Sequence, residues 1–150
     1  MTIWADADAL PGPIRDILFR AAERTETPLV LVANKRLRIP FSRHVRLQQV
    51  APGADVADGY IVQHLEPDDL VVTADVPLAG AVVEKGATAL DPRGRPYDEQ
   101  TIGERLALRD LAHELREAGL PGGGPPPLDN RAKQDFANAL ARWLRATGRP

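Results

Sequence analysis

The chain has 150 residues, of which 21 are acidic and 19 are basic, and it contains no cysteine. This length fits one domain, and the lack of cysteine excludes disulfides, thiolate catalysis, iron–sulfur clusters and cysteine-built zinc sites. The chain has one serine, Ser42, outside any nucleophile-elbow motif, and three histidines that are far apart in the sequence, so neither residue type supports a local catalytic or metal-binding motif.

The beginning of the sequence contains two acids and no basic residue up to Asp8, which argues against a secretory signal. The longest apolar runs are far shorter than the ~20 residues that a membrane-spanning helix needs. We therefore expect a cytoplasmic protein that has no membrane partner.

Short apolar runs alternate with helical patterns over the first ninety or so residues of the chain. The runs predict four strands, at residues 2–5, 29–33, 70–74 and 87–90, and the alternation of residues 45–49 predicts another, more exposed strand between the second and third of these. Helical spacing of apolar residues predicts helices around residues 14–22, 57–65 and 78–83. Asp55 is placed to cap the second of these helices, and Gly86 to end the third.

The strand signal stops after residue 90. Thr101 and Glu104 have the spacing of a capping box, which predicts a helix with an apolar stripe at Leu108, Leu111 and Leu115. Glycines and prolines at 121–127 predict a linker to a last helix at 129–146. Since this linker is a single loop, we expect one domain over residues 1–150.

The alternation of strands and helices predicts an α/β fold with a doubly wound, mostly parallel five-stranded sheet. Right-handed crossovers place helices on both faces of such a sheet. Ligands bind in the crevice beyond the carboxyl ends of the strands, where the strand order reverses. In this chain the strands at 2–5 and 70–74 are expected to be neighbours at that crevice.

Aspartates follow both of these strands. Asp6 and Asp8 come after the first, Asp75 comes after the fourth, and Asp58 lies early in the intervening helix. Clustered carboxylates repel each other, and a divalent cation relieves that repulsion. Oxygen ligands without imidazole or thiolate favour Mg²⁺ or Mn²⁺. The alternative is that these aspartates cap helices or compensate helix dipoles. Asp91, just past the fifth strand, is a further candidate, and its alternative role is that of a turn residue.

A basic segment complements these acids. Residues 27–54 contain five cations and no acid, whereas residues 55–100 contain ten acids and three cations. Arginine suits bidentate phosphate contacts, and this basic segment is a candidate substrate surface. The candidate substrate-binding residues are Asn34, Lys35, Arg36, Arg38 and Arg43. Phe41 could stack on a base, and the alternative is a solvated loop with Phe41 tucked inward.

Several motifs, taken in order along nearly the whole chain, resemble the bacterial YaiI/YqxD family. They are Ile3-Trp-Ala-Asp-Ala-Asp-Ala9, Leu31-Val-Ala-Asn34, Asp55-Val-Ala-Asp58, Val72-Thr-Ala-Asp-Val-Pro-Leu-Ala79, Leu90-Asp-Pro-Arg-Gly94, Thr101-Ile-Gly-Glu-Arg105 and Phe136-Ala-Asn-Ala-Leu140. That family is placed among the PIN-like domains, whose nucleases gather acidic residues around Mg²⁺ or Mn²⁺ to cleave RNA. The resemblance implies a PIN-like sheet here, with a similar acidic site.

By position, Asp6 matches the acid after the first strand of the PIN-like pattern and Asp75 the acid after the fourth. Asp58 resembles the acid that the intervening helix contributes, and Asp8 resembles a family-specific addition. The leading hypothesis is a Mg²⁺- or Mn²⁺-dependent ribonuclease or phosphodiesterase. Asp6 and Asp75 would bind the metal, Asp8 and Asp58 would complete the site, and RNA would be the partner.

Two other functions remain open at this point. One is a non-catalytic RNA-binding or regulatory module that has the same fold. The other is a phosphatase resembling the haloacid dehalogenase superfamily, because Asp6 and Asp8 have the spacing of its nucleophile and acid, and Thr73 follows a strand. The sequence also leaves homo-oligomerisation and the choice between RNA and DNA open.

Overall fold

A computed structural model describes residues 1–53, 55–119 and 127–148 of the chain. Within these ranges a five-stranded parallel sheet forms the centre of the protein. The predicted linker at 121–127 lies outside the described residues apart from its last position.

The sheet has the strand order β3-β2-β1-β4-β5. The strands are β1 Ile3–Asp6, β2 Leu29–Ala33, β3 Val45–Gln49, β4 Leu70–Val72 and β5 Thr88–Leu90. Every pair of neighbours is parallel, and β1 pairs with β4 at the point where the order reverses. The doubly wound α/β fold and the adjacency of the first and fourth strands are therefore confirmed.

Five helices surround the sheet within the described ranges. They are α1 Gly12–Thr25, α2 Val56–His64, α3 Val76–Glu84, α4 Glu99–Glu117 and α5 Asn130–Ala146, with a short 3-10 turn at Ala7–Ala9. The first helix begins with prolines in and just before its first turn, where a missing N–H group leaves no hydrogen bond unmade. The predicted C-terminal helix is present as α5.

Two hydrophobic layers hold the helices against opposite faces of the sheet. Side chains of alternating strand positions such as Ile3, Leu31 and Leu70 pack with α1 and α5 on one face. The intervening positions, such as Val32 and Val71, pack with α2 and α3 on the other face. Because both faces are covered, the inner strands β1, β2 and β4 are buried throughout, whereas the edge strand β3 carries exposed polar residues.

The start of α4 differs from the sequence prediction. The capping box is formed by Asp98 and Thr101 instead of Thr101 and Glu104: Thr101 N donates to Asp98 Oδ1 at 2.8 Å, and Asp98 N donates to Thr101 Oγ1 at 2.8 Å. Aspartate is at least as good an N-cap as threonine, so the helix begins three residues earlier. Leu108, Leu111 and Leu115, predicted as the packing stripe, are exposed.

The start of α2 also differs in its detail. Asp55 stands at the N-cap position, but its backbone is left-handed, with φ of 66°, and its side chain makes no capping hydrogen bond. The predicted capping role of its side chain is therefore wrong.

The connection from β2 to β3, residues 34–44, crosses the sheet without a helix. It begins at the carboxyl end of β2 and returns to the amino end of β3, where Leu29 N donates to His44 O at 2.8 Å. Ser42, near the end of this connection, donates to Glu23 of α1. The basic segment therefore extends from the carboxyl end of β2 to the amino end of β3, at opposite ends of the strands.

None of the helices in the described ranges is both long and apolar enough to cross a membrane.

Candidate active site

The site is built at the carboxyl ends of β1 and β4. Asp6 is the last residue of β1, and Asp75 follows β4 as the N-cap of α3. Both carboxylates line one open cavity of about 320 Å³, together with Ala9, Ala74 and Arg109. The pairing of β1 with β4 brings these two aspartates together, as the sequence predicts for the switch point of a doubly wound sheet.

Thr73 links the two aspartates. Its fully buried hydroxyl donates a 3.0 Å hydrogen bond to Asp6 Oδ2 and accepts one of 3.0 Å from the backbone N–H of Asp75. The carbonyl of Thr73 in turn accepts a hydrogen bond from the Tyr97 hydroxyl at 3.1 Å. Since each of these groups has a partner, the loop after β4 is fixed relative to the end of β1.

Asp75 has a structural role as well as a candidate chemical one. Its Oδ1 accepts a 3.0 Å hydrogen bond from the N–H of Leu78, which caps α3. The capping alternative for this aspartate is therefore correct, and it does not compete with ligand binding, because a carboxylate has two oxygens. Oδ2 remains for a ligand.

Asp8 lies in the 3-10 turn that follows β1. Its Oδ2 accepts a 2.6 Å hydrogen bond from the N–H of Asn34, which follows the neighbouring strand β2. This contact ties the start of the basic connection to the turn after β1. Asp8 is exposed, whereas Asp6 is buried, so the two acids differ in environment despite their closeness in sequence.

Burial and mutual repulsion perturb two members of the acidic cluster, which we define as Asp6, Asp8, Asp58 and Asp75. Burial raises the pKa of Asp6, the hydrogen bond from Thr73 opposes this, and the charges of Asp75 and Asp8 raise it further. Desolvation, with repulsion from Asp75, Asp6 and Asp55, raises the pKa of Asp58 to about 6. The sheet edge thus concentrates negative charge, which favours cation binding.

The carboxylate oxygens of the acidic cluster are the ligands that a divalent cation would have here. In the described part of the chain, no three Asp, Glu or His side chains are grouped so that they could hold one ion. Mg²⁺, however, is commonly bound by one or two carboxylates, with waters and substrate phosphates completing its shell. Asp6 and Asp75, which share a cavity, fit this second kind of site.

The structure separates the predicted substrate-binding residues into two groups. Asn34 and Lys35 follow β2 and lie at the edge of the acidic cluster, where Asn34 contacts Asp8. Arg36 and Arg38 lie farther along the connection, beside a cavity that Leu47 of β3 also lines. Arg43 lies just before β3, at the amino ends of the strands, whereas the acidic cluster lies at their carboxyl ends. Arg43 and the acidic cluster therefore do not share a surface.

Phe41 of the same connection is fully exposed, so the alternative in which it tucks inward is wrong. Asp91 is buried: its Oδ1 accepts hydrogen bonds from the N–H groups of Arg93 and Arg95, and its Oδ2 forms a 2.9 Å ion pair with Arg105. It therefore organises the turn after β5, in agreement with its alternative role as a turn residue.

Sequence reasoning missed a second basic surface beside the acidic cluster. Arg109 of α4 lines the same cavity as Asp6 and Asp75. Arg93, Arg95 and Arg105 line a neighbouring cavity. The available signal was the run Asp91-Pro-Arg-Gly-Arg-Pro96, a turn sequence with two arginines at the carboxyl end of a predicted strand.

Fold and site together define an α/β protein with a doubly wound parallel sheet and an acidic crevice at the switch point. The model of the "Uncharacterized BCR, YaiI/YqxD family" matches residues 4–146, and the chain belongs to that family, which confirms the resemblance.

Relatives at high identity support this assignment. A UPF0178 protein of Alkalilimnicola ehrlichii is 57% identical over 146 residues, which cover 97% of this chain and 99% of the relative. A UPF0178 protein of Cronobacter sakazakii is 56% identical over 144 residues, covering 96% of this chain and 95% of the relative. One from Hahella chejuensis is 52% identical over 149 residues, covering 99% of each. No solved structure matches the chain.

Proposed function

We propose that this protein is a Mg²⁺- or Mn²⁺-dependent ribonuclease or a related phosphodiesterase. The observation that carries the proposal is the shared cavity of Asp6 and Asp75 at the switch point of the sheet, with Asp58 and Asp8 adding negative charge. The PIN-like character implied by the family resemblance supports the same chemistry.

Each acid has a distinct task in this proposal. Asp6, oriented by Thr73, and Asp75, fixed by its helix cap, would hold the cation through the carboxylate oxygens that those hydrogen bonds leave. Asp58, whose pKa burial and the charges of Asp75 and Asp6 raise to about 6 in the metal-free protein, would accept a proton from an attacking water. Asp8 would hold the Asn34 segment at the rim of the site.

The cation, when bound, would supply Lewis-acid stabilisation of a phosphoryl oxygen and activation of water. The protein's cations would bind the substrate strand. Arg109 lines the acidic cavity and is exposed, so it can contact a phosphate there. Lys35 lies on the other side of the site, beyond β2, where it can contact a second phosphate.

A calorimetric Mn²⁺ titration of the wild type and of Asp75→Asn tests the metal site without any assumption about substrate. We expect saturable binding that weakens at least about tenfold in the variant, because one of two protein ligands loses its charge. Asp68→Asn is the matched control. Asp68 is exposed and lies before β4, at the amino ends of the strands and therefore away from the site.

Cleavage is tested separately, with single-stranded RNA in the presence of Mn²⁺. Turnover by the wild type and Asp68→Asn, and its loss in Asp6→Asn and Asp75→Asn, would support the nuclease proposal. Equal Mn²⁺ affinity in wild type, Asp6→Asn and Asp75→Asn would contradict the assignment of this site.

The second candidate function is a non-catalytic RNA-binding module. It is favoured by the lack of a three-ligand metal group among the described residues and by the exposed cations beyond β2. It requires RNA affinity that falls steeply with salt and no turnover. The phosphatase alternative receives less support, because the Thr73 hydroxyl is buried and donates to Asp6 instead of facing a ligand.

A further inference from the structure

A cavity of about 570 Å³ lies beside the acidic cluster, in the range of size typical of small-molecule sites. Ala9 and Ala74 line both this cavity and the one that holds Asp6 and Asp75. The two cavities are therefore neighbours along one groove at the carboxyl edge of the sheet. We call the larger one the arginine pocket, because Arg93, Arg95 and Arg105 line it.

The arginine pocket has one pre-positioned guanidinium. Arg105 forms a 2.9 Å ion pair with Asp91, and its guanidinium carbon lies 4.4 Å from the centre of the Tyr97 ring. These two contacts fix the plane of the guanidinium, which reduces the entropy lost when it binds an anion. Tyr97 is buried, and burial raises the pKa of its phenol to about 12, so it stays neutral beneath Arg105.

The rest of the pocket wall is apolar. Pro11, Pro92 and Leu128 line the same pocket and present apolar surface. Among the described residues that line the pocket, Asp91 is the one acid beside three arginines, and its carboxylate pairs with Arg105, so the formal charge of this lining is positive. A ligand that matches this wall carries an anionic group at one end and a flat or apolar body at the other.

A nucleotide has this combination of properties. We infer that the arginine pocket binds one nucleotide unit of a nucleic acid strand, with its phosphate at Arg95 and Arg105 and its base or ribose against Pro92 and Leu128. The role of this pocket in cleavage rests on the proposed function: the next phosphate of the same strand would enter the cavity of Asp6 and Asp75. The binding itself can be measured without cleavage.

The test uses adenosine 5′-monophosphate as the probe, with the full-length protein in metal-free buffer. We expect saturable binding, followed by chemical-shift perturbation, and affinity about tenfold weaker in Arg95→Gln, because one charged hydrogen-bond donor is lost. Arg95 is exposed, so its substitution leaves the core intact. The matched control is Arg24→Gln. Arg24 is exposed in the last turn of α1, near the amino ends of the strands and away from the pocket.

Two oligonucleotides of one sequence, with a 5′-phosphate or a 5′-hydroxyl, identify which phosphate the pocket takes. If the oligonucleotide with the 5′-phosphate binds more tightly, the pocket binds the end of a strand. If both oligonucleotides bind with equal affinity, and Arg95→Gln weakens both equally, the pocket binds an internal phosphate. Absence of adenosine monophosphate binding at millimolar concentration, or equal affinity in wild type and Arg95→Gln, overturns the inference. Nucleotide binding without RNA turnover would reject the nuclease proposal and keep the pocket.

Discussion

The indole N–H of Trp4 donates a 3.0 Å hydrogen bond to Oδ2 of Asp69, which is a buried carboxylate just before β4. The same carboxylate accepts hydrogen bonds from the N–H groups of Thr2, at 2.8 Å, and Glu66, at 3.0 Å. Asp69 thus joins the amino ends of β1 and β4, whereas the acidic cluster lies at the carboxyl ends of these strands.

Replacement of Asp69 by alanine should cost stability without changing the candidate site. The variant leaves three N–H donors without their acceptor, and we expect the free energy of unfolding to fall by about 3 kcal/mol. Urea denaturation measures this loss. Mn²⁺ affinity, measured well below the denaturation midpoint, should equal that of the wild type, and a large drop in affinity would show that the two edges of the sheet are coupled.

The hydroxyl of Thr73 should contribute to both stability and electrostatics. In Thr73→Val the shape is kept while the hydrogen bonds to Asp6 and from Asp75 are lost, so we expect a loss of about 1–3 kcal/mol. Because the hydrogen bond lowers the pKa of Asp6, that pKa should rise further in the variant. Carboxyl carbon NMR measures the titration directly. Thr73→Ser, which keeps the hydroxyl, serves as the control and should titrate like the wild type.

The pKa of Asp58, raised to about 6 in the folded state, predicts a pH dependence of stability. The native protein binds this proton more tightly than the unfolded chain, so the contribution of Asp58 to stability falls as pH rises from about 4 to about 6. Asp58→Asn removes the dependence, and in metal-free buffer we expect its melting temperature to exceed that of the wild type at pH 8. A variant less stable than the wild type at pH 8 would contradict this assignment.

The same titration should appear in cation binding. Protons and Mn²⁺ compete for the acidic cluster, so Mn²⁺ affinity should increase from pH 5 to pH 7 with a midpoint near the Asp58 pKa of about 6. Calorimetry at several pH values measures the profile. In Asp58→Asn the midpoint should move to lower pH, and an unchanged profile would assign the titration to another group.

Gly94 should be intolerant of any side chain. Its φ is +85°, and a Cβ atom there would lie 2.5 Å from the carbonyl oxygen of Asp135 in α5. We expect Gly94→Ala to lower the free energy of unfolding by about 3 kcal/mol or more, because it adds a backbone clash to conformational strain. Gly86→Ala is a close control, because Gly86 has φ of +87° but only an ordinary 3.9 Å contact with Pro67. That variant should lose about 1 kcal/mol.

Much of the architecture follows from local patterns. Four of the five strands are short apolar runs, and β3 alternates between apolar and polar residues. Parallel strands bring their carboxyl ends to one end of the sheet, so strand-end position alone predicts that Asp6 and Asp75 lie together. The start of α4 is harder to predict, because Asp98 and Thr101 satisfy the same spacing rule as Thr101 and Glu104.

Other features depend on contacts that no local pattern encodes. Arg43 and Lys35 belong to one basic run in the sequence, but the chain crosses the sheet between them without a helix. Arg105 reaches Asp91 only because α4 packs beside the turn after β5. The exposure of Leu108 and Leu111 also depends on tertiary packing, since their spacing is that of a buried stripe.

The position of α5 in the chain has a consequence for biosynthesis. Phe136, Leu140 and Leu144 supply large buried side chains to the layer that covers Ile3 and Leu70. A ribosome releases these residues long after the strands they cover, since synthesis proceeds from the amino end. On the nascent chain α1 alone therefore covers this face of the sheet until α5 emerges, and a product terminated before α5 is expected to be held by chaperones or degraded.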